Sequence, residues 1–253
     1  MLRGIDSPGA CHLLEQCTDP IFHLEYIPQC DDTLIDDVID RTAEGKLQSL
    51  YFELGTNANI VAADKTYFNM IGCKAKTVKV TGSFNTEYII SVDFSVKSTT
   101  TSIAATGVAP TALTGDFLSF HRAGAIAKDG GDFAYIVDSI DITFEHNLTD
   151  KWDHDSLVKQ FCIEGARDID GTIDISLDEG GGVHWAEVIN QTEFDVIVDL
   201  GGKGCPRLTL PNCKWKSGEF DINISGDEMA DSAPFKSRPS NASECSNVVS
   251  AKP

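Results

Sequence analysis

The sequence predicts a mostly β fold, in which two packed antiparallel sheets form a sandwich or partial barrel with one short flanking helix. Several stretches alternate apolar and polar residues with a period of two, which places the apolar side chains on one face of a strand. Turn-forming residues, mainly Gly, Asn and Asp, separate these stretches. Strands with one apolar face bury it by packing two sheets together or by closing a sheet on itself.

The clearest alternation lies in residues 72–97. Val78 and Val80 alternate with polar neighbours, and the apolar residues of 88–96 do the same. The turn composition at 82–85 lies between the two runs. This pattern predicts a β-hairpin.

The other elements are placed by the same periodicity. Before the hairpin we predict strands at 22–26 and 47–54, and residues 34–39 fit a short helix with acidic residues in its first turn. An amphipathic helix is predicted at 183–191 and is taken as the one flanking helix. Residues 152–160 are predicted to be a loop or one helical turn. The remaining predicted strands and extended stretches are 133–148, 165–177, 194–200, 207–210, 214–224 and 232–239.

These elements divide the chain into three parts. Residues 1–20 lack periodicity and are predicted to be an N-terminal arm. Residues 21–239 form the β domain, with a long Ser-, Thr-, Ala- and Gly-rich loop at 98–124. Residues 240–253 form a polar C-terminal tail.

The composition excludes several classes of function. A net charge of −19 opposes binding to the phosphates of nucleic acids. No apolar run reaches the roughly 20 residues that cross a bilayer, and the N-terminus lacks a signal-peptide pattern. We therefore expect folding in a cytoplasm, where small buried or free thiols are favoured over disulfides or zinc ligands. The eight cysteines are Cys11, Cys17, Cys30, Cys73, Cys162, Cys205, Cys213 and Cys245.

Candidate chemistry is sparse. The sequence has no hydrolase, zinc-protease, phosphate-loop or dinucleotide-binding motif. Asp153, His154 and Asp170 are the residues that a metal-dependent enzyme would use, but no further ligand at fixed spacing completes a shell. Asp170, Asp174 and Asp178 lie on one strand face, which indicates either a cation site or acidic wall, or simply the solvent-facing side of an amphipathic strand. We predict no catalytic residue, no metal and no cofactor.

The order of several weak motifs resembles the tail tube proteins of long-tailed viruses, over residues 22–235. The first is Tyr67-Phe68-x-x-Ile71-Gly72-Cys73-Lys74, which runs into Val78-x-Val80-x-Gly82. Further motifs are Val137-x-Ser139-Ile140-x-Ile142-x-Phe144, Arg167-Asp168-Ile169-x-Gly171-Thr172-Ile173, residues 208–212 with Leu-Pro-Asn, and Ala233-Pro234-Phe235. The resemblance implies a structural subunit of the virion tail, made in the host cytoplasm.

The same resemblance implies an assembly. Six copies form a ring, rings stack into a hollow tube, and DNA passes through the lumen without specific binding. The implied partners are a tape-measure protein and the tail terminator and initiator proteins, with no membrane insertion by this subunit. An acidic lumenal wall repels DNA where a basic wall traps it. The residues expected to face the lumen are Glu87, Asp93, Asp141, Asp170 and Asp174.

Two alternatives remain open at this level besides the metal-dependent enzyme. The first is the inner-tube subunit of a contractile tail or a secretion-type injection device, which a neighbouring sheath gene would indicate. The second is a sugar-binding β-sandwich, which needs aromatic platforms. The chain has only three Trp and five Tyr, and the three Trp share no predicted strand face.

Overall fold

The computed structural model describes eleven ranges of the chain. They are residues 20–42, 44–55, 67–102, 115–120, 126–129, 131–132, 136–152, 159–177, 181–216, 229–238 and 248–251. The arm predicted at 1–20 lies outside these ranges except for Pro20, as does most of the strand predicted at 214–224.

Thirteen of the described strands join one antiparallel sheet that curls into a half-barrel, and two more form a small separate sheet. The strands are β1 (Ile21–Tyr26), β2 (Leu50–Gly55), β3 (Tyr67–Ser83), β4 (Ile89–Ser95), β5 (Ser98–Ser102), β6 (Ile126–Lys128), β7 (Gly131–Asp132), β8 (Ile136–Glu145), β9 (Leu148–Trp152), β10 (Lys159–Glu164), β11 (Asp168–Leu177), β12 (Phe194–Asp199), β13 (Pro206–Trp215), β14 (Met229–Ser237) and β15 (Val249–Ala251). The helices are α1 (Leu34–Ile39) and α2 (Gly181–Asn190). The predicted mostly β antiparallel fold is confirmed, in its partial-barrel form.

The main sheet runs β1-β4-β3-β8-β11-β14-β13-β12-β6-β7, with β2 and β5 also on β3 and β15 also on β13. Its apolar side chains lie on one face and form a single buried core, which α1 covers with Ile35, Val38 and Ile39. The predicted hairpin is confirmed, with Val78 opposite Val92 and β3 followed by β4. The core side chains of the central strands are Val78, Val80, Val92, Phe94, Ile140, Ile142, Phe144, Ile169, Ile173 and Ile175.

The described residues contain two short helices, where the sequence analysis counted one flanking helix. Helix α1 begins after Asp32, whose Oδ1 atom accepts the N–H of Leu34 at 2.9 Å. Helix α2 coincides with the predicted 183–191 helix within two residues. Both helices lie where apolar residues recur at helical spacing, so the difference is one of counting and not of local structure.

Strand β3 is longer than predicted and changes partners along its length. Residues 67–73 pair with β2 and β5, whereas residues 74–83 pair with β4 and β8. Gly72 lies at the change, with a φ of +68° that L side chains rarely adopt. A Cβ atom there would lie 2.9 Å from the Cβ of Lys97, so glycine allows the strand to bend at this point.

Two segments predicted as a loop and a tail contribute to the sheet. The stretch described as a loop at 98–124 begins with β5, which pairs with β3, because a run of Thr suits a strand as well as a loop. The polar tail contains β15, which pairs with β13. Val248 just before it is fully buried, so two adjacent valines outweigh the polar composition around them.

Two further differences concern the β9–β10 hairpin and the proline in β13. The sequence pattern does not predict the β9–β10 hairpin, whose loop residues 153–158 lie outside the described ranges. It also ended a strand at Pro211, but β13 continues through this residue. The pairing of β12 with β13 shifts register between Phe194 and Val196, opposite Pro211. Proline is tolerated at a β-bulge, because the extra residue there does not have to donate a backbone N–H to the neighbouring strand.

The expectation that all cysteines are free is wrong. Cys30 and Cys205 form a disulfide, although they are 175 residues apart and their spacing carries no sequence signal. The fold brings together the loop before α1 and the turn between β12 and β13. Within the described residues, Cys73, Cys162 and Cys213 are free thiols, in agreement with the prediction for these three.

Candidate functional site

The solvent-facing side of strands β3, β4, β8 and β11, called here the polar face, is the candidate functional surface. Its residues alternate with the core residues of the same strands, so they point away from the core. The pairing aligns them across the sheet, since Thr81 lies opposite Asp141 and Asp141 opposite Thr172. The polar face consists of Thr77, Lys79, Thr81, Ser91, Asp93, Ser139, Asp141, Thr143, Asp168, Asp170, Thr172 and Asp174.

Four of the five acidic residues singled out from the sequence lie on the polar face, namely Asp93, Asp141, Asp170 and Asp174. The fifth, Glu87, follows the turn between β3 and β4. Glu87, Asp141 and Asp174 line one depression of about 380 Å³ together with Ser and Thr side chains. Asp93 lies on the other side of β3, and Asp170 lies further along β11. Asp178 lies outside the described residues.

Lysine and histidine side chains accompany most of these carboxylates. Lys79 Nζ lies 2.6 Å from Asp141 Oδ2, and Lys216 Nζ lies 2.5 Å from Asp170 Oδ1. The Nδ1 atom of His23 lies 2.8 Å from Asp93 Oδ1. The sequence does not predict these ion pairs, because Lys216 and His23 are far in the chain from the carboxylates that they contact.

Two other contacts define the local chemistry of the polar face. Lys236 Nζ lies 2.9 Å from Asp168 Oδ1, and this hydrogen bond, with one from Asn147, lowers the pKa of Asp168. The Ser139 hydroxyl donates to Asp174 Oδ2. The face therefore carries carboxylates, hydroxyls and a few lysines, which are at least partly exposed. Ion pairs on such a face are weak, because exposed pairs contribute about 0–1 kcal/mol each.

A buried polar cluster under α1 holds one end of the polar face in place. Arg167 Nη1 donates to the carbonyl of Ile39 at 2.7 Å, and Arg41 Nη1 donates to the carbonyl of Gly165 at 2.9 Å. His146 is fully buried, with Nε2 at 3.0 Å from the carbonyl oxygen of Val38. Burial, and then the two arginines, lower the pKa of His146 to about 3, so this ring is neutral.

A second buried cluster joins the small sheet to β4. The Lys159 side chain is fully buried, and its Nζ lies 3.0 Å from Asp150 Oδ2 and donates to Ser95 Oγ at 2.6 Å. The thiol of Cys162 donates to Asp150 Oδ1 at 3.0 Å. Burial acts to raise the pKa of Asp150, but hydrogen bonds from Cys162, Lys159 and Ser95 outweigh it and lower the pKa.

This second cluster contains Ser, Lys and Cys, but its geometry does not favour nucleophilic catalysis. Lys159 Nζ donates to Ser95 Oγ and pairs with Asp150, so the lysine is not placed to act as a base for Ser95. Burial raises the pKa of the Cys162 thiol, which disfavours the reactive thiolate. The cluster acts as an internal tie between strands.

The described residues do not form the metal site that the sequence suggested as an alternative. Asp153 and His154 lie outside the described residues, and Asp170 contacts Lys216 and Lys236. Within the described ranges, no group of three or more His, Cys, Asp or Glu side chains is arranged to hold a metal ion.

A curled antiparallel sheet with an apolar core on one side and a continuous polar face on the other places the chain among mostly β proteins of half-barrel form. Residues 31–203 match the family described as phage tail tube protein, which is more than half of the 253-residue chain. The chain therefore belongs to the phage tail tube protein family and has a structural role in the tail of a virion. No curated protein matches the sequence.

Proposed function

We propose that six copies of this chain close into a ring, that rings stack into a hollow tube, and that DNA passes through this tube from the capsid to the host cell. The polar face lines the bore, with Glu87, Asp93, Asp141, Asp170 and Asp174 on the wall. Family membership supports assembly into a tube. The arrangement of the polar face supports the proposal that this face, and not the opposite one, points into the bore.

The observation that carries the proposal is the composition of the polar face across four neighbouring strands. A wall that conducts DNA must present water-binding groups without a continuous row of cations, since each lysine or arginine that meets a phosphate releases counterions and adds affinity. Here Lys79 lies against Asp141, and Lys216 lies against Asp170. These lysines are already neutralised, and the remaining carboxylates repel phosphate.

The edges of the sheet support ring closure. Among the described strands, β1 and the two-residue strand β7 end the main strand order, and β1 pairs with β4 alone. Unpaired strand edges bind further strands, and closing the sheet around a ring satisfies them. Ile21 at the start of β1 is 77% exposed, so apolar area at this edge would be buried by a neighbouring subunit.

The proposed partners follow from the tube. A tape-measure protein occupies the bore before DNA enters, and terminator and initiator proteins bind the two ends. The subunit itself does not insert into a membrane. Among the described residues, neither helix has the length and apolar character needed to span a bilayer.

Electron microscopy of the purified chain tests the assembly directly. We expect rings or tubes with sixfold symmetry at high protein concentration or after addition of the initiator complex. A chain that stays monomeric under both conditions contradicts the proposal. A sheath gene beside this gene would place the same tube inside a contractile tail or a secretion-type device.

Charge reversal tests the orientation of the polar face. We expect Asp174→Lys to leave tubes intact and to slow DNA release from assembled particles, because the new cation meets phosphate in the bore. The matched control is Glu44→Lys, at an exposed residue in the turn after α1, which should release DNA at the normal rate. Equal release rates for both variants would show that Asp174 lies outside the bore.

A further inference from the structure

The disulfide between Cys30 and Cys205 lies beside a short segment that is held by backbone hydrogen bonds on both sides. This segment, residues 115–120, is called here the bridging segment. The N–H of Cys30 donates to the carbonyl of Asp116 at 3.0 Å, and the N–H of Leu118 donates to that of Pro28 at 3.0 Å. On the other side, the N–H of Tyr88 donates to the carbonyl of Leu118 at 2.8 Å.

The side chain of Leu118 connects the bridging segment to the other half of the disulfide. Leu118 is buried and packs over the turn that contains Cys205. A Cβ atom on Gly201 would lie 2.9 Å from Leu118 Cδ2 and 2.8 Å from Cys205 Cβ. Leu118 therefore contacts the segments that carry both cysteines. Without the bond between Cys30 and Cys205, the loop before α1 and the turn before β13 would lose their covalent connection.

Small reagents can reach this pair from solvent. Cys30 and Cys205 both line a cavity of about 540 Å³, together with Phe117 and Lys203. Cys30 is partly buried and is the more accessible member of the pair, because Cys205 is only 7% exposed; Phe117 at the same cavity is 55% exposed.

Cys73 and Cys213 are less accessible than this pair, and Cys162, which is partly buried like Cys30, is held by Asp150. Cys73 and Cys213 are fully buried, and burial raises the pKa of their thiols to about 11 and about 12. They remain protonated at neutral pH and react slowly. Cys162 is hydrogen-bonded to Asp150. Cys30 and Cys205 are therefore the two described cysteines expected to oxidise together, because they lie within bonding distance of each other and line one cavity.

We propose that Cys30 and Cys205 are a redox-modification site: the chain folds and assembles with two free thiols, and the bond closes after the protein leaves the reducing cytoplasm. This rests on the proposed function in one respect, the assembly in a host cytoplasm, where disulfides rarely persist. In the step, two S–H bonds break and one S–S bond forms. The two protons and two electrons pass to dioxygen, which becomes hydrogen peroxide. The closed bond then fixes the bridging segment in the finished particle.

Mass spectrometry on the whole chain tests the order of events. Cells producing the protein in a reducing cytoplasm are quenched in acid, and the thiols are then trapped with N-ethylmaleimide under denaturing conditions. Trypsin with a Glu-specific protease separates the pair, because residues 204–207 contain only Cys205 and residues 26–41 contain only Cys30. We expect both peptides to be alkylated in quenched cells and joined by a disulfide after the purified protein is exposed to air.

A stability measurement provides the second readout. Oxidation in air should raise the melting temperature by roughly 5–15 °C, in the native chain and in the matched control Cys162→Ser but not in Cys205→Ser. Finding the pair already joined in quenched cells overturns the proposal, as does a folded chain that stays fully alkylated after air exposure. If Cys205→Ser does not fold, the mass readout on the native chain and Cys162→Ser decides.

Electron microscopy of the same samples separates this proposal from the tube itself. Air oxidation of a chain that forms no rings would contradict the proposed function and leave the redox site standing. Tubes whose subunits stay reduced in air would support the proposed function and contradict the redox site.

Discussion

The ring of Phe235 lies directly over Gly171, opposite it in the pairing of β11 with β14. A Cβ atom on Gly171 would lie 2.2 Å from Phe235 Cζ, far inside van der Waals contact. Phe235 is fully buried and forms an edge-to-face pair with Trp215, with ring centroids 6.1 Å apart. The glycine therefore makes room for an aromatic cluster that joins β11 to β13 and β14.

We expect Gly171→Ala to lower the free energy of unfolding by at least about 2 kcal/mol, because the ring must leave a packed rotamer. The measurement is chemical denaturation of the purified chain. Gly202→Ala is the matched control, since an added Cβ meets nothing within 4 Å there, and it should change stability by less than about 0.5 kcal/mol. Equal effects for the two variants would contradict the packing.

The buried pair of Lys159 and Asp150 predicts a strong asymmetry between single and double variants. Asp150→Ala leaves the lysine without its carboxylate and should cost about 3 kcal/mol of unfolding free energy. Combining it with Lys159→Met should recover most of that loss, because the buried charge is also removed. The exposed pair of Lys79 and Asp141 is the control, and Lys79→Ala should cost about 1 kcal/mol or less. Additive losses in the double variant would show that the two residues do not interact.

His146 predicts a loss of stability in acid. Its pKa is lowered to about 3 by burial and the two arginines, whereas in the unfolded chain it is near 6.5. Between these values the unfolded state binds a proton that the folded state excludes, so stability falls as the pH drops from about 6.5 towards 3. Denaturation of the native chain and His146→Gln at pH 7 and pH 5 measures this, and the native chain should lose more stability on acidification. An equal loss in both would place the acid sensitivity elsewhere.

The ionisation of Asp40 predicts the opposite pH dependence, with stability falling as the pH rises. Its carboxylate accepts the backbone N–H groups of Val248 and Val249 at 2.9 and 3.1 Å, and burial outweighs these bonds and raises its pKa to about 7. A raised pKa means that the contribution to stability is fully present below the unfolded value near 3.9 and is lost as the pH rises through 7.

Asp40→Asn keeps an oxygen acceptor for β15 and removes the ionisation. We expect this variant to lose less stability than the native chain between pH 5 and pH 8, as measured by urea denaturation. Parallel curves for the two proteins would show that Asp40 ionises in the folded state as it does in the unfolded chain.

The regular parts of this fold are visible in the sequence, and the exceptions are not. Val78 and Val80 on β3, and Ile173 and Ile175 on β11, follow a period of two that depends only on their own strands. The cysteine bond and the approach of Lys216 to Asp170 depend on residues that are distant in the chain, so no local pattern encodes them. Pro211 was misread because proline normally ends a strand, and only the shifted register of β12 shows why it does not do so here.

The polar face illustrates the same limit for function. Alternation identified Asp93, Asp141, Asp170 and Asp174 as solvent-facing, and the structure places them on one side of the sheet. It did not identify the cations beside them, which change the face from a plain acidic wall into a mixed one. Whether this side is the bore stays a prediction for the charge-reversal experiment.

The bend at Gly72 has a mechanical consequence. Because β3 is one continuous strand, covalent bonds join the three-stranded extension that it forms with β2 and β5 to the wall that it forms with β4 and β8. Phe68, which is 51% exposed, lies in that extension, whereas Lys79 and Thr81 lie beyond residue 72 on the same strand. Any change in the angle between the extension and the rest of the sheet therefore requires a change in the backbone of β3 near residue 72.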